Sequence, residues 1–299
     1  MTEFTRDNFI CNGLIKAGAE FEECFGQHSK YIYEVFRVQA GIPVFIEDHL
    51  DRLWKTVELE NIKLPFSRNT MLADIVTLIQ ANPTGEGNIK IFISLPVHSP
   101  IIRLVYFTPH QYPSTEQFNT GVAVSLFRAE RGNPNAKVMD VALRSATDVA
   151  KKEEAVYEVL LVDRDGFITE GSRSNVFFIQ NNRLITPPIE SVLQGITRKQ
   201  IMQICDEESI PVSEQKVHYN ELNVMDAAFI SGTSRRVLPV GRIAGLAFNS
   251  SNQVIRQLQQ LFELRVTKYL LLHKNDFSSD LSSSGNQFRT SWFNGIKMF

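Results

Sequence analysis

The sequence predicts a mixed α/β protein built from two domains. Its 299 residues correspond to about two domains of roughly 150 residues each. Runs rich in β-forming residues alternate with segments whose apolar residues recur at helical spacing. A polar stretch over 108–119 separates the two halves. We therefore expect a small N-terminal α/β domain over 1–115, a larger domain over 120–274, and a Ser-rich, flexible tail over 275–299.

The first half begins with a predicted β-hairpin. β-forming residues dominate 31–38 and 42–46, and Gln-Ala-Gly between them is typical of a turn. A helix follows, because Leu50, Leu53 and Val57 fall on a single apolar stripe. The same reasoning predicts a second helix over 69–81 and strands over 88–95, 101–107 and 122–127.

The second half begins with a polar loop over 128–137 and a short helix. A strand over 157–162 leads to Asp165-Gly166, a dipeptide typical of hairpin turns. A helix is predicted to begin at Ile196-Thr197. Alternation and helical spacing predict further strands over 167–170, 175–179, 183–186 and 227–230, and a final helix over 252–272.

The composition excludes several classes of protein. With 31 Lys and Arg against 33 Asp and Glu, the net charge is −2 without strong clustering of either sign, so we expect no nucleic-acid partner. No run approaches ~18 apolar residues and the first ten residues do not resemble a secretion signal, so we expect a cytoplasmic protein without a membrane partner. The three cysteines and six histidines lack the spacing of disulfide frameworks or metal ligands, so we expect no metal.

A first anion site is predicted where a helix begins at Ile196-Thr197. The first N–H groups of a helix have no intrahelical acceptor and lie at the positive end of the helix dipole. They therefore favour a phosphate group, and the Thr197 hydroxyl adds a donor. The alternative is that Thr197 only caps the helix.

A second anion site is predicted after the strand over 227–230. The turn Ser231-Gly-Thr-Ser offers backbone amides together with the hydroxyls of Thr233 and Ser234. The alternative is that these residues only form an ordinary turn.

Arg52 lies on the first long helix, from which its guanidinium can reach an anion across a cleft between the domains. A solvent-exposed arginine is the alternative in this case.

Lys137 is the candidate nucleophile. It ends the polar loop, in Asn-Pro-Asn-Ala-Lys, next to an apolar segment. A lysine in a partly apolar cleft has a lowered pKa and can form a Schiff base. Lys151 and Lys152 are competitors, but Ala-Lys-Lys-Glu-Glu is typical of a solvated helix face.

Glu170 is the candidate acid. It ends a strand beside small residues, in Phe-Ile-Thr-Glu-Gly-Ser. Burial of a carboxylate there is costly unless a cation lies beside it, and a protonated pyridine nitrogen is such a cation. The alternative is an acidic residue in an exposed hairpin.

Several segments, taken in their order along the chain, resemble the class IV aminotransferases, which use pyridoxal phosphate. This family includes branched-chain and D-amino-acid aminotransferases and aminodeoxychorismate lyase. The resemblance covers about residues 28–245 and is most specific over 170–177 and 193–198. The segments are Tyr31-x-Tyr-Glu-x-x-Arg37, Glu47-Asp-His-Leu-Asp-Arg-Leu53, Ala136-Lys137, Asp165-Gly-x-Ile-Thr-Glu-Gly-Ser-x-Ser-Asn-Val-Phe177, Thr186-Pro-Pro188, Leu193-x-Gly-Ile-Thr-Arg198 and Ser231-Gly-Thr-Ser234.

The resemblance implies a role for each candidate residue. Lys137 is expected to form the Schiff base with the cofactor and to move a proton between Cα of the substrate and C4′. Glu170 is expected to pair with the pyridine nitrogen. The implied fold is a small N-terminal α/β domain and a larger barrel-like domain, with the cofactor between them in a homodimer. The implied phosphate-binding residues are Arg52, Ile196, Thr197 and Thr233, together with the neighbouring Ser234.

Two departures from the family pattern follow Lys137. Asp140 stands where many members have Asn, and we expect that it can pair with Lys137 and alter its basicity. Val141 stands where branched-chain enzymes carry Tyr. The sequence predicts an aminotransferase of branched-chain or D-amino-acid type that moves an amino group between an amino acid and a 2-oxo acid. A lyase that releases pyruvate and a cofactor-binding protein without turnover are the alternatives.

Overall fold

The structure, a computed structural model, describes residues 3–25, 31–82, 85–95 and 100–277. The elements of its first part are β1 (Asn8–Cys11), β2 (Leu14–Ala17), α1 (Phe21–Phe25), β3 (Tyr31–Gln39), β4 (Ile42–Pro43), α2 (Ile46–Leu59), α3 (Arg68–Ala81), β5 (Glu86–Ser94), β6 (Arg103–Thr108) and α4 (Thr115–Thr120). The second part contains β7 (Val122–Arg128), α5 (Val141–Glu153), β8 (Glu158–Val162), β9 (Phe167–Gly171), β10 (Asn175–Gln180), β11 (Arg183–Thr186), α6 (Ile196–Glu207), β12 (Val212–Glu214), β13 (Val217–His218), β14 (Ala227–Gly232), β15 (Arg236–Ile243), β16 (Leu246–Ala247) and α7 (Gln253–His273).

The strands of the first part form one antiparallel sheet. Among the described residues its order is β2-β1-β6-β5-β3-β4. Helices α2 and α3 pack on one face, where the predicted apolar stripe of Leu50, Leu53 and Val57 is buried. A second cluster of buried residues is mostly aromatic and includes Tyr31 and Tyr33 of β3. Strand β3 therefore contributes both to the core under the helices and to this aromatic cluster.

The strands of the second part form a curled sheet. In the described part of the chain its order is β12-β11-β10-β14-β15-β7-β8-β9-β13, and β16 pairs with β15. Residues of β10, β11 and β14 form one core with helices α6 and α7. A second core lies among the strands themselves. The mixed α/β architecture with a curled sheet confirms the predicted fold class, and the domain limits at 115 and 120 stay a prediction.

Several strands escape prediction from sequence, and β15 is the most central of them. Pro239 and Gly241 interrupt its β-forming residues, and such interruptions usually exclude a central strand. The structure accommodates Gly241 because the pairing of β15 with β7 shifts register between Val240 and Arg242, whereas Pro239 stays in register with Phe229 of β14. The polar stretch over 108–119 also contains most of α4.

Other predictions agree with the structure. Helix α6 begins at Ile196, and strands β8 and β9 are antiparallel on either side of the predicted turn. The tail predicted over 275–299 lies outside the described residues from position 278 onward. Within the described ranges, no helix has the length and apolar character needed to cross a bilayer.

Candidate active site

Lys137 lies in the loop between β7 and α5, beside strand β3. The Tyr33 N–H donates to the carbonyl of Lys137 at 3.2 Å, and the Lys137 N–H donates to Thr56 Oγ1 at 3.2 Å. The Lys137 Nζ lies 4.6 Å from the centroid of the Tyr33 ring. No ion pair joins this amine to a carboxylate in the part of the chain that the structure describes. Burial lowers the pKa of Lys137, which favours the neutral, nucleophilic amine.

A buried ion pair connects β3 with α2 close to this lysine. Glu34 is fully buried, and Arg52 contacts both of its oxygens, with Nε 2.9 Å from Oε2. His49 Nδ1 lies 3.2 Å from Glu34 Oε1. Burial alone would raise the pKa of Glu34, but Arg52 and His49 hold it well below its usual range. The side chain of Arg52 is only 9% exposed, so it is not a solvated arginine.

Arg52 also bridges to the second sheet. Its Nη1 donates to the carbonyl of Gln194 at 3.0 Å, directly before the start of α6. Gly195 is the N-cap of α6, and no side chain caps the helix. The first N–H groups of α6 therefore remain available for an anion. Ile196, Thr197 and Thr233 line one small pocket there, so the structure brings both predicted anion sites together.

The turn after β14 joins the two sheets. The Thr233 hydroxyl donates to the Val35 carbonyl at 3.3 Å, and Ser234 Oγ accepts from Asn88 Nδ2 at 2.8 Å. Ser231, on β14, is fully buried, and its hydroxyl has no hydrogen-bond partner among the described residues. This turn therefore connects β14 to strands β3 and β5 of the first sheet. The unsatisfied Ser231 hydroxyl lies just before it in the chain.

Glu170 is buried, with 3% of its surface exposed, so it is not an exposed hairpin acid. Arg131 Nε lies 2.9 Å from its Oε1, and the Leu193 N–H donates to its Oε2 at 3.3 Å. Burial raises the pKa of Glu170, whereas Arg131 and, more weakly, Lys137 oppose that rise. In this setting the Glu170 carboxylate can form an ion pair with a second cation besides Arg131, or share that cation's proton.

The structure corrects two expectations about neighbours of Lys137. Asp140 is exposed, and its Oδ1 caps helix α5 by accepting from the Leu143 N–H at 2.9 Å. The expected pairing of Asp140 with Lys137 is therefore wrong, because the carboxylate is used as a helix cap. The sequence predicts a solvated face for Lys151, but its side chain is only 14% exposed and its Nζ lies 2.7 Å from Asp148 Oδ1.

Sequence reasoning missed three residues of this site. Tyr33 and Glu34 are adjacent in the family motif, which could have identified them. Arg131 lies in a polar loop and carries no signal of its own, because its contact with Glu170 depends on the folded chain. Burial alone would raise the pKa of Tyr33, but Lys137, Arg144, Arg131 and Lys90 together lower it to about 7.

These residues fit pyridoxal phosphate. The uncapped start of α6 offers N–H donors to a phosphate. The Ser231 hydroxyl, which has no partner among the described residues, lies near the end of β14, before the turn that carries Thr233. Lys137 offers an amine without a carboxylate partner in the described ranges, and Glu170 offers a buried carboxylate. The donor set thus matches the aldehyde, phosphate and ring nitrogen of that cofactor.

Gly195→Ala is expected to lower the free energy of unfolding by about 1–3 kcal/mol. A Cβ at Gly195 would lie 1.9 Å from Asn175 Oδ1. The side-chain Nδ2 of Asn175 donates to the Leu193 carbonyl at 2.9 Å. The substitution must therefore move Asn175 and the start of α6. Urea denaturation measures the effect. Gly132→Ala is the matched control, since nothing lies within 4 Å of its added Cβ, and equal stability of the two variants would contradict the prediction.

The chain is similar to known aminotransferases in sequence. Residues 31–243 match the family model described as amino-transferase class IV. The D-alanine aminotransferase of Bacillus licheniformis is 27% identical over 246 residues, which are 79% of this chain and 86% of that protein. A putative branched-chain-amino-acid aminotransferase of Methanocaldococcus jannaschii is 25% identical over 253 residues, 80% of this chain and 88% of that protein.

Solved structures agree with this fold. The Escherichia coli branched-chain amino acid aminotransferase aligns with a TM-score of 0.79 and 22% identity, covering 89% of this chain and 96% of its own. The branched-chain aminotransferase of the archaeon Thermoproteus uzoniensis aligns with a TM-score of 0.76 and 20% identity, over 89% of this chain and 98% of its own. Since the family model spans most of the sequence, the chain belongs to the class IV aminotransferases, whose cofactor is pyridoxal phosphate.

Proposed function

We propose that the protein is an aminotransferase of branched-chain or D-amino-acid type that moves an amino group between an amino acid and a 2-oxo acid. It acts in this proposal as a cytoplasmic homodimer. The observation that carries the proposal is that Glu170 connects the other two features of the site. Its buried carboxylate accepts from the Leu193 N–H, just before the uncapped start of α6, and lies within charge range of the Lys137 amine. The names of the relatives from Bacillus licheniformis and Methanocaldococcus jannaschii support the reaction class.

Lys137 and Glu170 have separate tasks in this proposal. When bound, pyridoxal phosphate supplies an electron sink for the negative charge that develops at Cα of the substrate. Lys137 Nζ is the amine that holds the cofactor covalently and then takes and returns the Cα proton, which its lowered pKa favours. Glu170 holds a positive charge at the ring nitrogen, and Arg131 keeps the carboxylate oriented.

The start of α6 would hold the phosphate group of the cofactor. The N–H groups of Ile196 and Thr197 and the Thr197 hydroxyl are its donors in this proposal. Thr233 lines the same pocket, and Ser234 lies beside it in the turn after β14. Arg52 completes the set with its guanidinium, which already reaches the residue before Gly195.

Glu170→Gln is expected to retain the cofactor and to lose about ten- to hundredfold in transamination rate. The amide keeps a hydrogen bond to the ring nitrogen but removes the charge, and a charge-assisted hydrogen bond contributes about 1.5–3 kcal/mol. Stopped-flow half-reactions measure the rate, and absorbance measures cofactor content. Glu153→Gln, an exposed residue at the end of α5, is the control. Unchanged rates in Glu170→Gln would show that this acid has only a structural role.

Single-turnover spectroscopy of the holoenzyme tests the reaction itself. A panel of L- and D-amino acids is added, followed by 2-oxoglutarate or pyruvate. Conversion of the cofactor to its amine form, reversed by the 2-oxo acid, is the expected result. Release of pyruvate from aminodeoxychorismate without such conversion would identify a lyase instead. No reaction with any donor would leave a cofactor-binding protein without turnover.

A further inference from the structure

The guanidinium of Arg144 lies close to the candidate nucleophile. Helix α5 carries Arg144, whose Nη2 donates to the Tyr33 hydroxyl at 3.2 Å. The ring of the same tyrosine has its centroid 4.6 Å from Lys137 Nζ. A single phenol ring therefore separates the guanidinium from the amine.

Arg144 has no carboxylate partner of its own in the residues that the structure describes. The acid nearest to it on α5 is Asp148, one helical turn further on. Its oxygens are already used, because Arg173 Nη2 donates to Oδ1 at 2.7 Å and Lys151 Nζ lies 2.7 Å from Oδ1. Arg173 and Lys151 therefore pair with this carboxylate, Arg144 adds a third positive charge at longer range, and this side of the site carries an excess of positive charge.

The buried acids of the region are also paired. Glu170 lies 2.9 Å from Arg131, and Glu158 lies 3.1 Å from Arg235 and accepts from the Ser172 hydroxyl at 2.5 Å. Moving either acid toward Arg144 would break the ion pair of another, largely buried arginine, which is unfavourable. These acids are therefore engaged by other arginines, and the guanidinium of Arg144, which contacts Tyr33, remains able to bind an external carboxylate.

We infer that Arg144, together with the Tyr33 hydroxyl, binds the α-carboxylate of the amino-acid substrate. This inference rests on the proposed transamination. In that reaction the substrate's amino group must approach Lys137, and its carboxylate is bonded to the same carbon as that amino group. The fork of an arginine matches a carboxylate with two parallel N–H donors, which fixes orientation as well as position.

Binding of propionate to the holoenzyme tests the inference without turnover. Isothermal titration calorimetry compares wild type, Arg144→Gln, Arg144→Lys and Lys152→Gln, an exposed cation on the same helix. Loss of a charge-assisted contact is expected to raise the dissociation constant of propionate about ten- to hundredfold in Arg144→Gln, less in Arg144→Lys, and not in Lys152→Gln. No binding to wild type, or equal binding to wild type and Arg144→Gln, would overturn the inference.

Half-reaction kinetics then separate a binding role from a structural one. We expect Arg144→Gln to lower kcat/KM about ten- to hundredfold for reactive amino acids and much less for propylamine, which has no carboxylate. Equal losses for both donors would overturn the inference, since they would indicate a general disturbance of the site. If propionate binds as expected but no amino acid reacts with wild type, the proposed function fails while the carboxylate site stands.

Discussion

Lys137→Ala is expected to lower the rate of transamination by about 10²- to 10⁴-fold, the usual contribution of a positioned acid–base group. The variant loses the amine that would hold the cofactor and transfer the Cα proton. Its fold should persist, because the hydrogen bonds of position 137 to Tyr33 and Thr56 use backbone atoms that alanine retains. Stopped-flow half-reactions and thermal denaturation measure the two properties.

Lys152→Ala is the matched control for this substitution. Lys152 is exposed on α5, and we expect wild-type rates from its alanine variant. A Lys137→Ala protein that is folded and still reacts at the wild-type rate would exclude Lys137 as the proton-transfer group. Addition of a small primary amine to Lys137→Ala should restore part of the rate, since the amine can enter the space that the side chain leaves.

Arg52→Ala is expected to destabilise the folded protein by about 3–5 kcal/mol, the usual cost of removing one partner from a buried ion pair. The reason is Glu34, which is fully buried and keeps only His49 and the Val35 N–H as partners among the described residues once the guanidinium is gone. The contact of Arg52 with the Gln194 carbonyl is lost as well, so cofactor affinity should fall together with stability. Urea denaturation and cofactor titration measure these two effects.

A double variant separates charge burial from lost packing. Glu34→Gln with Arg52→Met removes both charges, and we expect it to be more stable than Arg52→Ala alone. Arg164→Ala, at a largely exposed pair with Glu130, should change stability little. If Arg52→Ala is as stable as Arg164→Ala, the buried pair does not support the fold.

The same pair predicts a pH dependence of stability. Arg52 and His49 hold the folded pKa of Glu34 well below the unfolded value of about 4.3. The ionised Glu34 therefore makes its full contribution to the free energy of unfolding above the unfolded pKa. That contribution is lost as the pH falls toward the folded pKa. Wild type should lose stability on acidification below about pH 4 more steeply than the double variant. Parallel acid profiles for the two proteins would contradict this assignment.

Elements with a strong local pattern can be predicted from this sequence. The apolar stripe of Leu50, Leu53 and Val57 and the helix start at Ile196 depend only on residues a few positions apart. Strand β15 could not be predicted, because Pro239 and Gly241 weaken its local pattern and its partners β14 and β7 supply the pairing. Tertiary contacts decide such a strand, and they are not visible in a local window.

The electrostatic partners of the site were harder to predict than its segments. Lys137, Glu170 and Thr197 belong to motifs whose order along the chain is informative. The contact of Arg144 with Tyr33 joins residues 111 positions apart, so nothing near either residue indicates it. Asp140 shows that closeness in sequence can also mislead. It lies three residues after Lys137, which suggests an ion pair with the Lys137 amine, but its carboxylate caps α5 instead.

Reduction of the holoenzyme with borohydride, followed by peptide mapping, tests most directly whether Lys137 is the residue that carries the cofactor. We expect a pyridoxyl group on the peptide that contains Lys137 and on no other lysine peptide. Lys90 is the informative competitor, since it is only 5% exposed and lies 5.7 Å from the same Tyr33 ring. A pyridoxyl group on Lys90 or Lys151, with Lys137 unmodified, would contradict the assignment of Lys137 as the cofactor-bearing residue.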